Sequence, residues 1–472
     1  MMKSKLHLMS WLLLLASILL ISCKKDEPNQ KKETPRNPEV VAQEQELLKL
    51  LGEDEGIAFA SGMKVGDTIS MGIWAKGELE FKGMKPSEYP SRYPDMKEWV
   101  CYTITDPNVV IKGNVIGVNI QEAPLTAFVA SQAPNFGYFN MFSCPNITDL
   151  DFSHCKGLEF IWTSKLDNLT RIALPTEPIL KEVYLWTSPK LEQLNLSKAT
   201  ELKLLDLSGT SLKELDLTHC NKLIDLRLGS SSTPIPDISH LKLENLSLRN
   251  KDLTSLDVSK LPATLIGLSL RNNKLQGSLD LSLLKRLNVL YISNNQLSTL
   301  KLHHIPAQLF AQNNQLTSIE VAEAENKYYE EDWHNGKEQG WFRNLFVDLT
   351  FNKMSEEAIT QFLDKLFTNE IPNKLKGLFL VATRENENSE YYSFGENAFT
   401  PQHLEQIKAK GWIPVGLTKS TGALYTIKFR SKHSRPTHSP MMSQSYPSLE
   451  LMRENPLDAS NESDARAFTP HL

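Results

Sequence analysis

Cysteine is scarce in this chain, with five in 472 residues. That is too few for a disulfide-stapled scaffold, and the absence of a C-x-x-C pair argues against a structural zinc site. An excess of one charge is also missing. The 51 Lys and Arg nearly balance 56 Asp and Glu, giving a net charge of -5 at pH 7. This excludes a basic nucleic-acid binder and a disordered polyelectrolyte. Catalytic signatures are absent as well: there is no G-x-S-x-G, H-E-x-x-H or P-loop, and no G-x-G-x-x-G in a βαβ setting. Neither an enzyme nor a cofactor is expected. The one long apolar run, Leu8 to Ile21, is short for a membrane span.

That run follows Lys3 and Lys5 and reads as a secretory signal peptide over residues 1–22. It ends Leu20-Ile21-Ser22-Cys23, which resembles a bacterial lipobox and implies lipidation of Cys23. Lys24-Lys25-Asp26-Glu27 then resembles the export signal of surface lipoproteins of Bacteroidota-type bacteria, implying a lipid-anchored protein exposed on the outer membrane. Residues 23–55 are expected to serve as anchor and flexible tether, since residues 24–39 are too polar to bury a core. A short helix is expected over Val40 to Leu51. Alternating Ile69, Met71, Ile73 and Ala75 predict a strand, within a small β region over residues 56–112.

The next stretch is repetitive. Leu265, Leu268, Leu270, Asn273 and Leu275 fit L-x-x-L-x-L-x-x-N-x-L, and Leu287, Leu290, Ile292, Asn295 and Leu297 fit it again. Taking the second Leu as marker gives Val118, Phe139, Ile161, Val183, Leu205, Leu226, Leu246, Leu268, Leu290 and Leu309, mostly 21 or 22 residues apart. These are leucine-rich repeats, and they predict a solenoid over residues 113–321. A second half-repeat such as LKELDL (212–217) or LTSLDVS (253–259) predicts short strands on both sides of each coil. The small polar residue before the turn, Asn273, Asn295 or Asn314, is placed to satisfy buried backbone groups, and Cys144 takes the same position. Cys155 and Cys220 take the equivalent place in the half-repeat, so Cys144, Cys155 and Cys220 are expected to stay unpaired.

This nested pattern resembles the leucine-rich repeats of internalin-like surface proteins of Bacteroidota-type bacteria, over about residues 56–417. The resemblance implies fold and surface location, and adhesion only as a tendency. Beyond the repeats, residues 322–344 form a charged, aromatic insertion (KYYEEDWHNGKEQGWF). Residues 345–417 then predict an α/β cap. Its first helix presents Ile359, Phe362, Leu363, Leu366 and Phe367 behind a Ser355 cap, and its second begins at Thr400-Pro401. The tail, 418–472, is expected to be mostly disordered.

Several candidate sites reduce to ordinary turns. His154-Cys155 and His219-Cys220 lie three coils or about 15 Å apart, too far to share a zinc ion. His303-His304 reads as a solvated turn. The acidic row Asp151, Asp216, Asp237, Asp257 and Asp280, with Asn195 in register, reads as turn-capping residues, a row of calcium ions being the alternative.

The outward positions of the main strands carry more information. Tyr138, Asn140 and Phe142, then Phe160, Trp162 and Ser164, then Glu182, Tyr184 and Trp186 place six aromatics on three adjacent strands. Arg227, Arg249 and Arg271 follow, the last two stacked in one column with Asp225 as a possible counter-charge. The expected ligand site is therefore an apolar anchor at Tyr138, Phe142, Phe160, Trp162, Tyr184 and Trp186, flanked by an anion-reading strip at Arg227, Arg249 and Arg271. The expected function is a surface adhesin binding a protein partner, with carbohydrate capture as the alternative.

Overall fold

The computed structural model describes residues 35–89, 99–324, 345–368, 377–384, 396–418, 424–428 and 437–439. For 377–378, 380–384, 416–418, 424–428 and 437–439 it describes the backbone alone. The signal peptide, Cys23 and the tether as far as residue 34 lie outside the described residues. So do residues 325–344 of the insertion and 440–472 of the tail.

The repeat markers fall into register. Val118, Phe139, Ile161, Val183 and Leu205 pair in succession along one parallel sheet. Leu226, Leu246, Leu268, Leu290 and Leu309 continue it. All ten are at most 1% exposed. One coil cannot bury its leucines alone, whereas stacked coils bury them against each other. The sheet runs on through Val347, Phe379 and Pro414, so the cap extends the same ladder. The fold is a leucine-rich-repeat solenoid.

Each coil leaves the parallel strand through a left-handed residue four positions after its marker. These are Glu122, Ser143, Lys165, Thr187, Gly209, Ser230, Asn250, Asn272, Asn294, Asn313 and Phe351, with φ between 50° and 75°. From Asn273 onward the next residue is an asparagine that ties coils together. Asn295 Nδ2 donates to Leu270 O and Ile292 O, both at 3.0 Å, and its Oδ1 accepts from Leu275 N at 3.0 Å. Asn273, Asn314, Asn352 and Asn397 bond in the same manner. The exposed asparagines just before them form a second ladder, with Asn294 Nδ2 donating to Asn272 Oδ1 at 2.6 Å and Asn313 Nδ2 to Asn294 Oδ1 at 2.8 Å.

The second side of the coil differs from expectation. Among the described residues strands form there only near the ends: Asp149–Asp151 with Arg171–Ala173, and Gln276–Asp280, Gln296–Leu302 and Ser318–Val321. In between, the half-repeats run without a ladder. Pro234 and Pro236 contribute to this by removing two N–H donors from a central half-repeat.

The boundary expected between residues 112 and 113 falls inside one strand, Asn108–Gln121. That strand pairs antiparallel with Gly56–Ala60 and Thr68–Lys82, and parallel with Tyr138–Phe142. The N-terminal β region is thereby part of the solenoid's own sheet.

The stretch expected to be tether is folded from Arg36 onward. Asn37 caps the helix Pro38–Leu51, which packs Val40, Leu47 and Leu51 on Ala58, Val110 and Val129. Arg36 bonds Glu44 at 2.7 Å and Asp149 at 3.3 Å, while Arg171 bonds Asp149 at 2.8 Å. At the other end Ser355 and Thr400 cap the helices Glu356–Lys365 and Pro401–Ala409 as expected. Strands Leu424–Lys428 and Thr437–Ser439 extend the cap antiparallel beyond residue 417, into the part expected to be disordered.

Candidate aromatic groove

On the parallel strands the outward residues stand in columns, because neighbouring coils share a register. The column before the markers runs Trp74, Gly117, Tyr138, Phe160, Glu182. The column after them runs Gly72, Asn119, Asn140, Trp162, Tyr184. Between the two lies a shallow groove, floored by Val118, Phe139 and Ile161.

Its walls are stacked rings. Tyr138 and Phe160 lie 4.8 Å apart and nearly parallel, at 2°, while Trp162 and Tyr184 lie 4.7 Å apart at 17°. All four are half-buried. Tyr184 bends across the far end, its hydroxyl donating to Glu182 Oε2 at 3.2 Å. Burial raises the Glu182 carboxyl above its ordinary range, opposed by the Tyr184 hydrogen bond and the Arg227 charge. The near end is closed by Trp74, which the sequence reading left out. Nothing local marks Trp74, since it belongs to the N-terminal β region and reaches the groove only because Thr68–Lys82 pairs beside the first coil. Gly117 matters for the same end: a Cβ there would stand 2.8 Å from the Tyr138 Cβ, so only glycine allows this close approach of the strands.

Two of the six predicted aromatics do not face the groove. Phe142 and Trp186 are 3% and 4% exposed and form a small apolar cluster of their own, with Trp162 and Tyr184 packed against it. Trp186 meets Trp162 edge-on at 5.4 Å, and Lys165 Nζ sits over the Phe142 ring at 5.4 Å. Three adjacent strands carrying large rings cannot all expose them. The outer column folds over and braces the inner one.

The expected anion-reading strip does not form. Arg227 is 5% exposed; its Nε and Nη2 donate to Asp225 at 3.0 and 2.7 Å, and Asp206 lies 3.7 Å from its Nη1. Asp225 therefore neutralises Arg227, not the stacked pair. Burial pushes the Asp206 carboxyl up and the Arg227 charge opposes it. Arg249 is 7% exposed and its stem lies across Gly229, where a Cβ would meet Arg249 Cγ at 2.6 Å. Arg271 is half-buried. Sequence spacing put these residues on the outer face correctly, yet Asp225 holds Arg227 down and Arg249 lies across the neighbouring coil.

The remaining candidates behave as turn chemistry. Asp151, Asp216, Asp237, Asp257 and Asp280 each accept from the N–H and hydroxyl of the Ser or Thr two residues on, at 2.6 to 3.2 Å. Asn195 does so with the Ser197 N–H. Hydrogen bonds from Ser239 and Ser282 hold the Asp237 and Asp280 carboxyls below the usual range. His154 and His219 are exposed. His304, expected in a solvated turn, is 4% exposed and burial lowers its pKa to about 4. Cys144, Cys155 and Cys220 are free and buried, and burial pushes the first two thiols up to about 12. Cys23 lies outside the described residues. Among the described residues no helix is long and apolar enough to cross a membrane.

No protein-family model matches the chain. Nor does any curated protein match it. Solved structures that resemble it include an internalin from Listeria monocytogenes, at 18% identity over 55% of this chain and 82% of that one, with a TM-score of 0.36. The functional domain of InlJ from Listeria monocytogenes aligns at 14% identity over 61% of this chain and 79% of that one, with a TM-score of 0.28. The leucine-rich-repeat ectodomain of the plant receptor kinase GASSHO1/SCHENGEN3 from Arabidopsis thaliana, solved with CASPARIAN STRIP INTEGRITY FACTOR 2, aligns at 17% identity. It covers 65% of this chain and 50% of that one, with a TM-score of 0.31.

Proposed function

We propose that this chain is a binding protein, not an enzyme, and that it holds a protein partner on the parallel sheet at the aromatic groove. The observation that carries the reading is the pair of ring stacks, Tyr138 with Phe160 and Trp162 with Tyr184, left half-exposed around an open groove. Rings so placed contribute most of the energy of protein interfaces when buried by a partner. In the finer reading it is an adhesin, held on the outer membrane by lipid on Cys23. The lipobox-like residues before Cys23 and the polar residues 24–34 behind it support that placement.

Affinity capture from intact neighbouring cells tests the groove, comparing the wild type with a Tyr138→Ala, Trp162→Ala variant shown to be folded by circular dichroism. A partner retained by the wild type and lost by the variant supports the reading; equal retention sinks it. Carbohydrate capture is the second reading, favoured by the Tyr138 face turned away from Phe160 across Gly117, a platform on which a sugar ring could stack. A glycan array with the same variant separates the two. For the anchor, a Cys23→Ser variant should lose incorporated fatty acid and membrane fractionation, and protease added to intact cells should cleave the wild type.

A further inference from the structure

The groove has a charge preference that its sequence neighbours conceal. Among the described residues lining it, Glu182 is the only one that carries a charge, and neither Lys nor Arg contributes to the lining. One of the chain's own lysines already uses a groove ring, with Lys181 Nζ 5.8 Å from the Phe160 centroid, and behind the groove Lys165 Nζ lies 5.4 Å from that of Phe142. Cations are drawn to such faces by the ring quadrupole. A second observation points the same way. Asn140 lines the groove at 6% exposure, and among the described residues neither its amide oxygen nor its amide nitrogen has a hydrogen-bond partner. An amide buried in this state is destabilising until a ligand group meets it.

We propose that the groove takes an arginine side chain of the protein partner, with its guanidinium flat against the aromatic rings, Glu182 as counter-charge and Asn140 Oδ1 as a further acceptor. This rests on the groove being the protein-binding site and specifies what it reads. Arginine fits better than lysine because a planar, weakly hydrated guanidinium can stack on a ring and still donate along its edge. The slot suits a planar group. Trp74 and Tyr138 flank Gly117 on successive strands, and two strand spacings amount to about 9.6 Å.

The test uses the full chain and two blocked pentapeptides, one with a central arginine and one with citrulline, its neutral isostere. Binding is followed by isothermal calorimetry and by tryptophan fluorescence. The arginine peptide should bind saturably and the citrulline peptide about tenfold more weakly, and Glu182→Gln should lower arginine-peptide affinity by a similar factor. Equal binding of the two peptides, or an unchanged affinity in a folded Glu182→Gln variant, overturns the proposal. Should Glu182→Gln fail to fold, the peptide comparison on the wild type still decides. Failure of the wider reading looks different: the captured partner would then be indifferent to Tyr138→Ala and Trp162→Ala. Loss of the partner in that variant with no arginine preference would overturn the arginine proposal alone.

Discussion

The two halves of the parallel sheet meet the same turn with different chemistry. From Asn273 on, each coil places an asparagine at the buried turn position, and its amide bonds backbone groups of two coils at once. Before it, that position holds Cys144, Leu166, Ser188, Thr210 and Ser231. Thr210 Oγ1 reaches Leu207 O of its own coil at 2.7 Å and Thr233 Oγ1 of the next coil at 3.1 Å, and Cys144 Sγ reaches Phe142 O at 3.6 Å. Among the described residues the Ser188 hydroxyl has no partner. Lys251 marks the transition: it fills the position with an ammonium that donates to Ser231 O and Thr233 O at 2.7 and 2.8 Å, and burial lowers its pKa to about 8. The C-terminal half is thus stitched through its turns. Both halves are also braced on the outer face, the C-terminal one by the buried stack of Tyr291, Phe310 and Phe346, the N-terminal one by half-exposed ring stacks and by the buried Asp206, Arg227 and Asp225 group. Tyr138, Phe160, Trp162 and Tyr184 stay half-exposed in the N-terminal half while Tyr291, Phe310 and Phe346 are buried in the other, so the first keeps aromatic surface for a ligand.

The sharpest challenge to this contrast is Arg227→Met. Removing the guanidinium leaves Asp206 and Asp225 buried without a counter-charge, and should cost about 3 to 5 kcal/mol in denaturant unfolding. A loss no larger than a surface substitution would mean that the outer brace is decorative.

Asn295→Ala comes next, at about 3 kcal/mol, because it strands Leu270 O, Ile292 O and Leu275 N together. The paired variant Ser188→Ala, at the same position in the other half, should cost less than about 1 kcal/mol. Similar losses at both positions would erase the distinction drawn between the halves.

Acidification exposes a weak point in the stitched half. The His304 pKa is lowered to about 4 from 6.5 by burial, so the unfolded chain takes up the proton first as pH falls. Its contribution is present in full above about pH 6.5 and is lost on the way down to pH 4, on the order of 2 kcal/mol. A His304→Leu variant should show a flatter stability profile between pH 7 and 4.

The smallest effect concerns the left-handed turn residue. Thr187 holds φ at 50°, a conformation that a β-branched side chain adopts at a cost, whereas Asn272, Asn294 and Asn313 hold it readily. Thr187→Asn should raise the melting temperature, through a gain of roughly 0.5 to 1 kcal/mol.

Much of this was legible in one dimension. The leucine period set the register of all ten markers, since each buried side chain has to meet its counterpart one coil away. The Asp-x-Ser turns, the inward asparagines and the caps at Ser355 and Thr400 are local hydrogen-bonding devices, complete within a few residues, and the chain alone determined them. What the tertiary structure decided lies across strands. Phe142 and Trp186 were folded under because their neighbours in adjacent coils are also large. Arg227 lost its freedom to acids at Asp206, one coil back, and at Asp225 beside it. Trp74 entered the groove from a strand that the repeat does not contain. Period 2 along a strand says which face a residue takes, whereas exposure on that face depends on the size and charge of residues some twenty positions away, which only the stacked coils bring together.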